Sequence, residues 1–185
     1  MIIAGVDEVG RGPLAGPVVT AAVILPDNYD LPGLTDSKKL TARRRELLSS
    51  AIKEQAVAWT LGEATVAEID TINILQATML AMQRAVVKLN VTASMVLVDG
   101  NRCPDFGIPA RAVIGGDGLE PCISAASIIA KVARDQLMKE YALEFPNYGF
   151  DRNSGYPTKQ HRDALVEFGV TRIHRRSFAP VKALC

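Results

Sequence analysis

Four acids in this chain stand where acids could do chemistry together. Asp7 and Glu8 follow the apolar run Ile2 to Val6, Asp99 follows Ser94 to Val98, and Asp117 comes just after Ala110 to Ile114. Each run reads as a short strand, and ligands of open α/β sheets gather outside the carboxyl ends of strands. Carboxylates that converge repel one another and take up protons unless a cation neutralises them. Oxygen donors with no Cys or His beside them favour Mg²⁺ or Mn²⁺ over zinc. Two such ions about 3.5–4 Å apart suit phosphoryl displacement, because they clamp the attacking and the leaving oxygen. The simpler reading of Asp99 before Gly100, or of Asp117 before Gly118, is a turn residue. Asp7 and Glu8 resist it, since a second adjacent acid adds nothing to a turn.

These acids need a frame. A strand from Ile2 to Val6 and another from Pro17 to Leu25 are joined by a link too short for a parallel crossover, so an antiparallel pair is expected. Pro26 to Thr35 is a loop. Thr41 can cap a helix to about Gln55 with Leu47, Leu48, Ala51 and Ile52 on its apolar face. Val57 to Leu61 is a strand. Thr65 and Glu68 form the pattern of a capping box. Ile72, Leu75, Met79, Met82, Val86 and Leu89 then continue one long amphipathic helix. Ser124 to about Leu143 is helical, and Thr158 can cap a last main helix that stops before Gly169. The order gives an α/β sheet fold with a helical C-terminal extension.

Composition bounds the function less tightly. With 185 residues, 48% of them hydrophobic, the chain can bury one good core, and a net charge of +1 does not by itself mark a nucleic-acid binder. Basic residues do cluster at Lys38, Lys39, Arg43, Arg44 and Arg45, and again at Lys159, Arg162, Arg172, Arg175, Arg176 and Lys182. Such clusters are either solvated faces or a phosphate footprint. Cys103, Cys122 and Cys185 lack metal-site spacing and read as ordinary thiols. Without a visible signal peptide or a bilayer-length apolar run, a cytoplasmic protein is expected.

The segments GVDEVGRGPLAGPVV, LTDSKKL, VDGN, SAASIIAKVARD, SGYPTKQH and HRRSFAPVK, in that order along almost the whole chain, resemble bacterial ribonuclease HII, the type 2 ribonuclease H. The resemblance implies a ribonuclease H-like fold: a mixed five-stranded sheet flanked by helices, in a single domain spanning 1–185. A helical, basic, substrate-binding part would begin near residue 146. It implies a monomer that cleaves the RNA strand of RNA–DNA hybrids with Mn²⁺ or Mg²⁺ as cofactor. It also implies incision on the 5′ side of single ribonucleotides embedded in duplex DNA, leaving 3′-hydroxyl and 5′-phosphate ends. The family's four metal-binding and catalytic acids fall on Asp7, Glu8, Asp99 and Asp117. Its ribonucleotide-reading segment falls on Gly10, Arg11 and Gly12, where glycines allow close approach to a sugar and backbone groups can bond a 2′-hydroxyl. Its junction-sensing tyrosine falls on Tyr156, expected to stack on the deoxyribose after the ribonucleotide. Ser37, Lys38 and Lys39, with the basic C-terminal patch, then read as phosphate contacts.

The chain departs from the family pattern at Gly115, where a lysine is common, and at Cys122, so no role carries over there. Asp135 is expected to bond locally on a helix. Neither His161 nor His174 lies in an acidic segment, so no histidine pair is placed to activate the 2′-hydroxyl itself. Two rival readings are another nuclease of the same fold, which would have no use for the sugar-sensing segments, and a silent hybrid-binding protein. The second would not place four negative charges in a phosphate-binding groove.

Overall fold

The computed structural model of the chain describes residues 1–185. Strand β1 (Ile3–Val9) runs past its apolar stretch and includes both acids. It does so because β2 (Val18–Ile24) continues opposite them, pairing Asp7 with Ala21, Glu8 with Thr20 and Val9 with Val19. A backbone ladder satisfies main-chain groups whatever the side chain, so the acids do not end the strand. The β1–β2 pair is antiparallel, as the short link predicts.

β3 (Ala58–Ala64) adds antiparallel to β2 and runs three residues beyond the predicted end. β4 (Met95–Asp99) lies parallel to β1, and β5 (Ala110–Val113) lies parallel to β4. The result is a mixed five-stranded sheet in the order β3-β2-β1-β4-β5.

Helices cover both faces. α1 (Ala42–Gln55) and α4 (Pro121–Glu144) bury Leu48, Ile52, Ile128 and Ile129 against Ala21 and Val23. α2 (Val66–Val87) buries Met82 and Ala85 against Val6, Ala22, Val96 and Val98 on the other face. The two-residue period of a strand therefore points Gly5 and Asp7 toward α4, and Val6 toward α2. A Cβ on Gly5 would lie 2.2 Å from the Cys122 carbonyl carbon. Glycine at this position lets the start of α4 sit directly on β1, beside Asp7.

The caps agree with the sequence. Thr41 accepts from the Arg44 amide, Thr65 and Glu68 complete a capping box, and Thr158 accepts from the His161 amide. Two helices differ. α4 starts at Pro121, ahead of Ser124, with proline in the first turn where its missing N–H costs nothing. α2 is broken at Asn73, whose φ of 70° and ψ of 166° leave the helix, while its side chain caps the Gln76 amide at 3.0 Å. The apolar spacing continues across the break, so periodicity alone reads one helix.

After α4 come α5 (Phe150–Asn153), α6 (Lys159–Phe168) and α7 (Ala179–Lys182). They share a core of Met138, Tyr148, Phe150, Leu165, Ile173 and Val181 with Leu14 and Ala15, from the link between β1 and β2. That link is stitched in place by backbone bonds from Leu14 N–H to the Gly155 carbonyl, from Gly16 N–H to Ile173, and from Arg175 N–H to Leu14. No helix is long and apolar enough to cross a membrane.

Candidate active site

The parallel register pairs Val6 with Val98, so the next residues along the two strands are Asp7 and Asp99, on the same α4-facing side. Asp117 arrives from the four-residue helix α3 (Gly116–Leu119), which follows β5. Its amide donates to Asp99 Oδ1 at 3.1 Å, and its carbonyl accepts from Ser124 Oγ at 2.6 Å, which fixes it between β4 and α4. One carboxylate oxygen from each of Asp7, Asp99 and Asp117 lies within 4.8 Å of the other two. Three of the four predicted acids thus converge.

Glu8 stands outside that group. Its carboxylate lies 3.8 Å from the Arg11 guanidinium and still reaches Asp7 by a side-chain hydrogen bond. Burial raises its carboxyl pKa, the Arg11 charge opposes the rise, and Asp99 adds to it.

Asp7 is 5% exposed. Burial, then the Glu8 and Asp99 charges, push its carboxyl pKa well above the usual range. The Glu8 amide, donating to Oδ1 at 2.8 Å, and the Ser127 hydroxyl favour the charged form but do not offset burial. Asp117 is raised too, by burial and by Asp99 and Asp36, against the pull of Lys38. These acids hold negative charge reluctantly, the electrostatic condition that a hard divalent cation relieves. The all-oxygen donor set fits Mg²⁺ or Mn²⁺ and offers nothing to zinc.

Ser37 and Lys38 belong to a single 3-10 turn, Ser37–Lys39, that lies against this site. Ser37 is buried, with its hydroxyl 2.8 Å from that of Ser127. It supports the hydroxyl that bonds Asp7 and does not face solvent as a phosphate contact would. Lys38 Nζ lies 3.9 Å from Asp117 Oδ2, so it supplies a cation on the side where Gly115 brings none. Burial works against the charge on Lys38, but Asp117, Asp36, Asp7 and Asp99 outweigh it and raise its pKa. Lys39 is exposed. Cys122 is held protonated, burial pushing its thiol up to about 11. Asp135 pairs with Lys131 at 2.7 Å and accepts from Ser154 Oγ, the local role expected of it.

Gly10, Arg11 and Gly12 leave the end of β1 next to these acids. Gly10 has φ +94°, and a Cβ there would lie 2.2 Å from Arg134 Nε, so two independent reasons require glycine. A Cβ on Gly12 would touch the Tyr156 ring at 3.4 Å. The two segments assigned to sugar recognition are therefore neighbours, and Tyr156 is 41% exposed beside them.

Sequence reasoning missed two groups that hold this loop. Arg134 and Arg175 are fully buried and pair with no carboxylate. Arg134 donates to the carbonyls of Ala15, Pro17 and Ser154. Arg175 donates to those of Gly10, Arg11 and Gly16. Arg175 therefore leaves the basic C-terminal patch. That patch is thinned further by the Arg172–Glu144 and Lys159–Asp163 ion pairs, both at 2.6 Å.

His161 and His174 form a buried pair, Nε2 to Nε2 at 2.9 Å. The Thr171 amide donates to His174 Nδ1, so His174 carries its proton on Nε2 and donates to His161, which in turn donates from Nδ1 to the Tyr156 carbonyl. Burial lowers both pKa values, His174 to about 4, where His161 also contributes. Both rings are neutral near pH 7. A histidine depressed in the folded state contributes stability above its unfolded pKa that is lost as pH falls from about 6.5 toward 4, here roughly 3 kcal/mol for His174. Imidazole NMR resonances of His174 should show the neutral form down to about pH 5, and those of His161 should titrate below an ordinary histidine; midpoints near 6.5 would refute the pairing.

A family model for ribonuclease HII matches residues 4–181. The chain belongs to the ribonuclease HII family. It is 61% identical over 179 residues to ribonuclease HII of Shewanella halifaxensis, covering 97% of this chain and 88% of that one. It also resembles the crystal structure of ribonuclease H2 from Pyrococcus horikoshii, with a TM-score of 0.82 at 26% identity over 100% of this chain and 97% of that one. Ribonuclease HII from Archaeoglobus fulgidus, solved in complex with PCNA, gives 0.79 at 26% identity over 95% and 94%. As a ribonuclease HII, the chain is an endonucleolytic hydrolase of RNA–DNA hybrids that depends on divalent metal. The sheet and its flanking helices are those of the ribonuclease H-like fold.

Proposed function

We propose that this ribonuclease HII incises duplex DNA on the 5′ side of single embedded ribonucleotides as well as cutting longer hybrids, leaving 3′-hydroxyl and 5′-phosphate ends. The observation that carries the reading is that the Gly10–Arg11–Gly12 turn continues from the strand bearing Asp7, with Arg11 3.8 Å from Glu8 and Gly12 against the Tyr156 ring, while Asp7 converges with Asp99 and Asp117. Asp7, Asp99 and Asp117 would hold Mn²⁺ or Mg²⁺, with Glu8 joining from the neighbouring position on β1. When bound, the ion supplies charge neutralisation and Lewis acidity for phosphodiester hydrolysis. The chain's own residues do the rest. The turn tests the sugar for a 2′-hydroxyl, and the Tyr156 ring packs on the next sugar and favours deoxyribose. Arg11, Lys38 and Lys39 contact phosphate, and Ser37 steadies Asp7 through Ser127. Acting alone, the chain works as a monomer.

The histidine pair supports hydrolysis by external water. Both rings are buried and bonded to each other, so neither is free to take a proton from a 2′-hydroxyl. Cleavage assays with Mn²⁺ or Mg²⁺ should give products that a polymerase extends directly from the 3′-hydroxyl, with no cutting in EDTA. A 2′,3′-cyclic phosphate, or full activity in EDTA, would overturn the proposal.

A further inference from the structure

Arg175 is 0% exposed and has no acidic partner, yet its fork reaches three carbonyls: Nη2 to Gly10, Nη1 to Arg11 at 2.9 Å and Nε to Gly16 at 2.9 Å. An uncompensated buried cation is costly, and a planar guanidinium is the side chain that can meet several carbonyls at once. The partners it meets matter for what lies on the opposite side. In a trans peptide the carbonyl of one residue and the N–H of the next point in opposite directions. No peptide in the chain is cis. With the Gly10 carbonyl turned in to Arg175, the Arg11 N–H turns out. With the Arg11 carbonyl turned in, the Gly12 N–H turns out. Neither N–H donates to any group in the protein, and both residues are exposed. Gly12 lies against the Tyr156 ring.

We infer that Arg175 is a positioning residue for ribonucleotide recognition: it sets two peptide planes so that the Arg11 and Gly12 amides present paired donors to the 2′-hydroxyl oxygen. Arg175 never touches the substrate. It fixes the donors in advance, so their ordering entropy is lost on folding and not on binding. Arg134 holds the far side of the same loop at Ala15 and Pro17 and sets neither of those planes.

The inference rests on the sugar-reading role proposed for the turn, and the test separates the two. Affinities of the full chain are measured in Ca²⁺ for a duplex with one ribonucleotide and for its all-DNA counterpart. The wild type should prefer the ribonucleotide duplex by about tenfold or more, the scale of one to two hydrogen bonds. Arg175→Lys keeps the charge but cannot reach three carbonyls. It should cut that preference at least fivefold and leave the all-DNA affinity within twofold. A smaller drop in the preference, or equal weakening on both duplexes as general loosening would give, overturns the inference. No preference in the wild type would refute the sugar-reading role itself. If Arg175→Lys does not fold, amide NMR of the wild type decides. The Arg11 and Gly12 N–H signals should shift with the ribonucleotide duplex and not with all-DNA, and identical shifts with both would overturn the inference.

Discussion

Asp7→Asn should lower cleavage of a ribonucleotide-containing duplex by about three orders of magnitude while leaving affinity for that duplex largely intact. The loss follows from position. Asp7 lies centrally in the sheet, opposite Asp99 on the parallel neighbour, and shares with Asp99 and Asp117 the only such group of three acids in the fold. Removing its charge weakens any divalent ion held there, and several kcal/mol of transition-state charge stabilisation go with it. On the proposed reading, binding depends mainly on phosphate contacts and the Gly10–Arg11–Gly12 turn, which the substitution does not touch. The same change should raise the melting temperature in EDTA. Burial holds the Asp7 carboxyl pKa above its unfolded value, so ionisation costs stability at every pH above the ordinary carboxylate range, and the cost fades as pH falls. A neutral amide removes it. Added Mn²⁺ should stabilise the wild type and not the variant. A variant that melts lower than the wild type in EDTA, or that cuts at near wild-type rate, contradicts this account of Asp7.

Gly10→Ala should cost roughly 3 kcal/mol of stability, from the sum of an unfavourable left-handed backbone and overpacking. A Cβ there meets Arg134 Nε at 2.2 Å, and Arg134 cannot retreat, because three carbonyls hold its guanidinium in a fully buried slot. For a chain of this length the melting temperature should fall on the order of 10 °C. Circular dichroism melts of the two proteins measure it. A shift of only a degree or two would mean that the turn and Arg134 relax together at little cost. Activity should fall as well, since the displaced turn carries the amides proposed to read the sugar.

Much of this site is legible in the chain because strand ends and caps leave local marks. Asp99 ends its strand as read, and Asp117 follows its own. Thr41, Thr65 and Thr158 cap as their spacing predicts. What the sequence hides is non-local. Asp7 and Glu8 lie inside β1, since the partner strand and not the side chain decides where pairing stops. Asp7, Asp99 and Asp117 converge as a group of three, while Glu8 joins them through Asp7 and is paired with Arg11. The break at Asn73 is invisible to periodicity because the apolar stripe resumes in phase. Helices of four residues such as α3, which delivers Asp117, are too short to carry a period. Arg175 reads as one more charge in a basic run. Its partners are main-chain carbonyls, which every residue has, so nothing in the local sequence marks it as buried. α4 begins three residues ahead of the apolar ridge from Ser124, at Pro121, a start that periodicity does not mark.

The most direct test of the central claim is a cleavage assay with Mn²⁺ or Mg²⁺ on duplex DNA carrying one ribonucleotide, run beside the all-DNA duplex of the same sequence. The arrangement of acids, turn and Tyr156 predicts a single cut on the 5′ side of the ribonucleotide and none in all-DNA. Cleavage of both duplexes at similar rates, or no cleavage of the ribonucleotide duplex, would contradict it.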